Sequence, residues 1–279
     1  MAIERNDSSF LRRLVHEHAG ISLEFDRDDL FELRLEPLLS DFGVTCVEEL
    51  VEKMRSQPEP HLTRLVVEAM ATCETLFFRD FHPFELLRTH VIPQWLETRA
   101  PGEKLSILCL ACSSGQEPYS LAMLLDAHFP QIVAEGVRIT ACDLSERMVE
   151  KARLGRYSRM EVNRGLPARF LISYFEKDGE EWQVVDDLRH RVDFHVVNMS
   201  RDMPPGGPAD IVFLRNVLIY FDEPMKKNCL RLAGDLLKPR GCLFLGAAET
   251  TINIDDSFER EQIGQAGYYR LAAGLHHGR

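Results

Sequence analysis

Leu105-Ser106-Ile107-Leu108-Cys109-Leu110-Ala111-Cys112-Ser113-Ser114-Gly115-Gln116-Glu117-Pro118-Tyr119-Ser120 decides the fold. The nearly unbroken apolar run from Leu105 to Cys112 reads as a strand buried on both faces. Gly115 then permits a tight turn, and Pro118 suits the first turn of a helix running from Glu117 to Phe129. A buried strand feeding a helix through a short loop is the opening unit of a parallel α/β sheet, whose ligands bind at the carboxyl ends of the strands.

Outward from this unit the pattern repeats. Strands are expected at Val137–Leu144, Val192–Met199, Ala209–Leu214, Cys242–Ala247 and Tyr268–Leu271, with helices at Ser145–Leu154 and Met225–Leu237. Upstream, to about residue 75, the chain reads as short amphipathic helices. Phe10, Leu11, Leu14 and Val15 form one stripe, and Leu30, Leu33, Leu38 and Leu39 another. Thr45 with Glu48 makes a capping box that opens a helix carrying Val47, Leu50, Val51 and Met54. The expected organisation is a helical domain over residues 1–75, a linker and connecting helix over 76–104, and an α/β domain over 105–279 with a small insertion near 170–190.

Composition narrows the function. The 279 residues include 33 Lys plus Arg against 44 Asp plus Glu, a net charge of −11. Such a balance argues against a nonspecific nucleic-acid or anionic-lipid binder, which draws affinity from neutralising phosphates. No apolar run reaches the ~18 residues of a membrane span, and Met1–Asp7 lacks the apolar core of a signal peptide, so a cytoplasmic location without membrane insertion is expected. The odd count of seven cysteines, mostly in apolar segments, implies reduced core thiols. Cys109 and Cys112, three apart on a strand, would point to opposite faces, which argues against a redox or zinc pair. His16 with His18, and His276 with His277, lack companion ligands, and no metal is expected.

The turn after the first strand has one glycine of the pattern G-x-G-x-x-G, which disfavours a dinucleotide. Twenty-eight residues beyond Gly115, Asp143 ends the second strand, where a carboxylate can accept ribose hydroxyls or cap the helix that follows. Together they fit a nucleoside cofactor.

Four blocks then carry a resemblance: Glu74-Thr75-Leu76-Phe77-Phe78-Arg79-Asp80, the turn with Glu117-Pro118-Tyr119-Ser120, Thr140-Ala141-Cys142-Asp143-Leu144-Ser145, and Arg215-Asn216-Val217-Leu218-Ile219-Tyr220-Phe221. In order and spacing they resemble the CheR family, the S-adenosylmethionine-dependent methyltransferases of bacterial chemoreceptors. A closing Phe244-Leu245-Gly246-Ala247-Ala248-Glu249 is similar to the family's terminal strand block. The resemblance implies a class I, Rossmann-like seven-stranded sheet with a small all-α amino-terminal domain, its last strands an antiparallel hairpin placed here at Cys242–Ala247 with Tyr268–Leu271. It also implies methyl transfer to glutamate γ-carboxylates on receptor cytoplasmic helices, leaving S-adenosylhomocysteine.

Carried over residue by residue, cofactor contacts fall on Thr75, Arg79, Glu117, Asp143, Asn198, Met199, Asn216 and Val217, with Gly115 in the turn. Arg79 and Tyr220 stand beside the reacting methyl. Each position also has a plainer reading: a surface ion pair of Arg79 with Asp80 or Glu85, a core aromatic for Tyr220, a turn or strand cap for Asn198 and Asn216, and dipole complementation for Glu117. Cys73 stands where the family commonly has Asn, so one polar contact is expected to be missing. The short Phe175–Trp182 segment lacks the family's longer Gly-rich loop, so tethering to a receptor pentapeptide is not expected. A monomer is.

An amino-group methyltransferase of the adenine type would show an Asn-Pro-Pro-Tyr-like motif where this chain has Leu214-Arg215-Asn216-Val217. A noncatalytic S-adenosylmethionine sensor or receptor scaffold is the alternative function. Residues 1–74 hold 8 Lys plus Arg against 16 Asp plus Glu, an awkward fit to acidic receptor helices. Either Arg12, Arg13, Arg34 and Arg64 gather on one face, or the receptor presents a more basic surface.

Overall fold

The computed structural model describes residues 3–24 and 28–272, so His276 and His277 lie outside the described residues. Strands β1 (Ser106–Leu110), β2 (Arg138–Asp143), β6 (Val192–Val196), β7 (Ala209–Leu214), β8 (Leu237–Leu245), β9 (Phe258–Ile263) and β10 (Ala266–Leu271) form a seven-stranded sheet in the order β6-β2-β1-β7-β8-β10-β9. The first five run parallel. β10 is antiparallel to both of its neighbours. The strand order reverses between β1 and β7, the point at which parallel α/β sheets leave a crevice for a ligand.

Side-chain alternation along β1 divides the core. Ile107 and Cys109 join an apolar cluster built with the helix Gln116–His128 and the helical stretch from His82 to Thr98. Leu108 and Leu110 join a second cluster with the helix Glu223–Asp235 and the amino-terminal helices α1 (Arg5–Ala19), α2 (Asp29–Leu39), α3 (Val47–Ser56) and α4 (Pro60–Met70). The helical segment is therefore held on one sheet face by burial. Polar ties add to it: the Ser145 hydroxyl donates to Glu68 of α4 (3.1 Å), and the Asn198 amide to the carbonyl of His18 (2.6 Å). Strands β3 (Arg156–Ser158), β4 (Phe175–Asp178) and β5 (Glu181–Val184) make a small antiparallel sheet in the order β3-β5-β4, within and beyond the insertion expected near 170–190.

Several local expectations change. β1 stops at Leu110 because Ala111 turns the chain with a φ of 58°. Cys112 therefore lies past the strand and shares one cluster with Cys109, and both are free thiols whose pKa burial pushes well up. They stay reduced core residues, but not by pointing apart. The core of α2 is Phe31 and Leu35, while Leu33 is exposed. α3 is capped at Cys46, one residue later than expected, so Glu49 and not Glu48 reaches back to the Thr45 N–H (2.7 Å) and hydroxyl (2.9 Å). The terminal hairpin is β9 with β10; β8 does pair with β10, but β9 escaped notice because its Glu259, Arg260 and Gln262 suit an exposed edge. Of Arg12, Arg13, Arg34 and Arg64, Arg13 is exposed and the other three are engaged within the chain. Arg12 binds Glu24 and Asp28, Arg34 the Met70 carbonyl, and Arg64 both Glu68 and Glu146.

Candidate functional site

At the carboxyl ends of β1, β2 and β7 the chain encloses a cavity, walled on its far side by Ala19 and Ile21 from the end of α1 and by the segment Ala71–Thr75. Thr75, Arg79, Glu117, Asp143 and Asn198 line it, as do Met199, Asn216, Val217 and Tyr220. Of the residues singled out, only Gly115 does not. Its φ of 92° starts the helix Gln116–His128, and a Cβ there would stand 2.8 Å from that of Ala152. Its lack of a side chain serves the packing of two helices.

Asp143 ends β2 buried. Its Oδ2 accepts the Ser113 N–H (2.6 Å) and its Oδ1 the Ser145 N–H (3.0 Å). Burial raises its pKa, and these N–H groups work against the rise. Capping of the next helix falls instead to the Ser145 hydroxyl, which accepts from the Met148 N–H, so the Asp143 carboxylate is left facing the cavity with spare lone pairs.

Glu117 does not act alone. Its Oε2 accepts from Arg215 Nη1 at 2.6 Å, and Arg215 Nη2 reaches both the Arg79 carbonyl (2.9 Å) and Asp80 (2.7 Å). The Arg215 side chain is almost wholly buried, and its Nε has no hydrogen-bond partner among the described residues. Burial raises the Glu117 pKa, with the guanidinium pulling it back. Because Asp80 is taken by Arg215 and Glu85 by Arg88, Arg79 makes no ion pair among the described residues; its Nη1 donates only to the Glu74 carbonyl (2.9 Å). The Tyr220 hydroxyl likewise has no hydrogen bond among the described residues, although its carbonyl accepts the Ser22 N–H (2.8 Å).

Asn198 is different. Its amide binds the His18 carbonyl and the Ser200 N–H and hydroxyl, and its backbone carbonyl accepts from Arg201 and Asp202, so it fastens α1 to the sheet. Cys73 lines the cavity, its thiol pushed up to about 11 by burial first and by Asp143 next.

Backbone strain concentrates here. Ala111, Ser113 and Asn216, with Phe78, Asp80 and Phe81 on the Arg79 loop, take positive φ without being glycine. Each costs of order 1–3 kcal/mol and persists only where neighbours over-determine it. Those neighbours include Arg215 and Glu249, two residues that stand in the quoted blocks but to which the sequence assigned no role. A charged residue directly after the apolar strand Ile211–Leu214 was the available sign for Arg215, since a buried arginine requires partners. Among the described residues no group of three or more His, Cys, Asp or Glu is placed to hold a metal, and no helix is long and apolar enough to cross a membrane.

Comparison with known proteins agrees with this geometry. Residues 73–266 match the CheR methyltransferase SAM-binding domain. The chain is 38% identical over 275 residues to chemotaxis protein methyltransferase 1 of Pseudomonas aeruginosa, covering 97% of this chain and 99% of that protein. It is 37% identical over 268 residues to chemotaxis protein methyltransferase Cher2 of Pseudomonas putida, covering 95% and 97%. A crevice at the switch point of a seven-stranded sheet, lined by the expected blocks and matched over most of its length, places this chain in the CheR family of S-adenosylmethionine-dependent methyltransferases.

Proposed function

We propose that this chain transfers the methyl group of S-adenosylmethionine to the γ-carboxylate of glutamates on chemoreceptor cytoplasmic helices, forming methyl esters. The observation that carries the reading is the cavity itself, which brings together the buried Asp143 carboxylate, an Arg79 that makes no ion pair among the described residues and a Tyr220 hydroxyl that makes no hydrogen bond among them. The donor set fits the cofactor. Asp143 would take the ribose, Glu117 braced by Arg215 the amino group, and Leu144, Met199 and Val217 the apolar edges. Asn198 lines that wall while its amide ties it to His18.

When bound, S-adenosylmethionine supplies an electrophilic sulfonium methyl. The substrate glutamate has an ordinary pKa of about 4.3 and is ionised at neutral pH, so no residue here has to remove a proton. The protein's task is alignment and exclusion of water. Arg79 and Tyr220 orient the carboxylate; a tight bidentate clamp would stabilise the reactant anion more than a transition state in which charge is disappearing. β4 and β5 join through the two residues Gly179-Glu180, which supports a chain that does not tether a receptor pentapeptide. Because the helical segment is acidic and its Arg12, Arg34 and Arg64 bind internal partners, the receptor surface it meets is proposed to carry basic residues beside the modified glutamates.

Incubation with labelled S-adenosylmethionine and receptor cytoplasmic fragments tests this. Label that is released in mild base is expected, since methyl esters hydrolyse and N-methyl groups do not. Base-stable label would make the chain an N-methyltransferase, and cofactor binding without transfer to any fragment would make it a sensor or scaffold.

A further inference from the structure

The carboxylate of Glu249 is saturated by backbone. Oε2 accepts the N–H groups of Gly246 (2.7 Å) and Asn216 (2.7 Å), and Oε1 those of Val217 (2.8 Å) and Leu218 (2.7 Å). A carboxylate has about four acceptor positions, so none remains for a ligand. Three of the four donors are consecutive residues leaving β7, a concave run of N–H groups of the kind that binds anions. The protein fills it with its own anion. Gly246 makes this possible, because a Cβ there would lie 2.7 Å from both Glu249 Oε2 and the Asn216 side-chain amide.

The segment so held is the cavity wall of Asn216 and Val217, and the turn Leu218–Tyr220 follows directly. Asn216 sits there with a φ of 58°, a conformation the convergent N–H bonds enforce. We infer that Glu249 is a positioning residue for methyl transfer: it fixes the strained β7 exit loop, and through it the placement of Tyr220 and of the Asn216–Val217 wall. The inference rests on the functional reading above.

Glu249→Gln keeps size and shape but sets an amide NH2 against two of the four donors. The expected result is a transfer rate at saturating cofactor at least tenfold lower and S-adenosylhomocysteine binding at least tenfold weaker by calorimetry, in a chain whose circular dichroism at the assay temperature matches the parent. Glu249→Asp, which keeps the charge but retracts it, should fall between. A glutamine variant with parental rate and affinity, whatever its Tm, overturns the proposal by leaving Glu249 a merely structural brace. If that variant does not fold, the same two measurements on Glu249→Asp decide, and parental values there overturn it equally. Should the parent chain methylate no receptor fragment, the functional reading fails, and the calorimetric arm still judges Glu249.

Discussion

Asp143 shows how much one side chain can be asked to do. It organises the turns at Ser113 and Ser145 and still lines the cavity. Asp143→Ala should weaken cofactor binding at least tenfold by calorimetry, since a charge-assisted hydrogen bond contributes about 1.5–3 kcal/mol. Unchanged affinity would end the ribose assignment. Arg79→Ala and Tyr220→Phe should instead lower the transfer rate more than cofactor affinity, measured with labelled cofactor and saturating receptor fragment, because among the described residues Arg79 makes no ion pair beyond its hydrogen bond to the Glu74 carbonyl and the Tyr220 hydroxyl makes no hydrogen bond. Arg215 is the opposite case. Arg215→Met leaves Glu117 buried without its cation, a loss of about 3–5 kcal/mol in denaturant unfolding. Adding Glu117→Gln should recover part of it, and the single variant's deficit should narrow at acid pH as Glu117 takes up a proton. No recovery in the double variant would mean that Asp80 and the Arg79 carbonyl, not Glu117, are the partners that matter.

At the scale of an element, the helix Glu223–Asp235 depends on its first residue's neighbour. Asp222 caps it by accepting the Met225 N–H (2.9 Å) and binds His16 of α1 (2.7 Å). His16 first, then that N–H, holds the Asp222 carboxyl below its ordinary pKa. A lowered carboxylate pKa gives stability that is present above the unfolded value and lost as pH falls through the folded one. Asp222→Ala should therefore cost about 1 kcal/mol at neutral pH, the usual size of a lost cap. The gap from the parent should close as pH is lowered through and below about 4, followed by urea unfolding across pH. A gap that is constant in pH would show that the carboxylate's charge contributes nothing.

The whole molecule is joined where α1 ends. Gly20 takes a φ of 69°, and a Cβ there would lie 2.5 Å from Met225, itself a cavity residue. Ile21 bridges to Phe221, and the Ser22 N–H meets the Tyr220 carbonyl. Gly20→Ala should cost at least about 1–2 kcal/mol for the left-handed backbone alone and weaken cofactor binding as well. A thermal shift with unchanged affinity would separate the helical segment from the cavity. This joint also explains what could be read early and what could not. Strand and helix order, the switch-point crevice and the cavity blocks were legible because buried parallel strands and strand-end turns are written in local apolar runs, glycine and single carboxylates. The roles of Arg215 and Glu249 were not, since their partners lie up to 136 residues away, and neither was the tie of Asn198 to His18. By itself the sequence determined the buried parallel strands, the helices between them and the family they resemble, because these follow from apolar periodicity and contiguous motifs, while the short or edge strands β3, β4, β5 and β9 carry no such signal. Only the tertiary structure decided which charges neutralise one another, which loops carry strain and which hydroxyls and guanidinium groups remain unspent, because each of these depends on distance in space between residues remote in the chain.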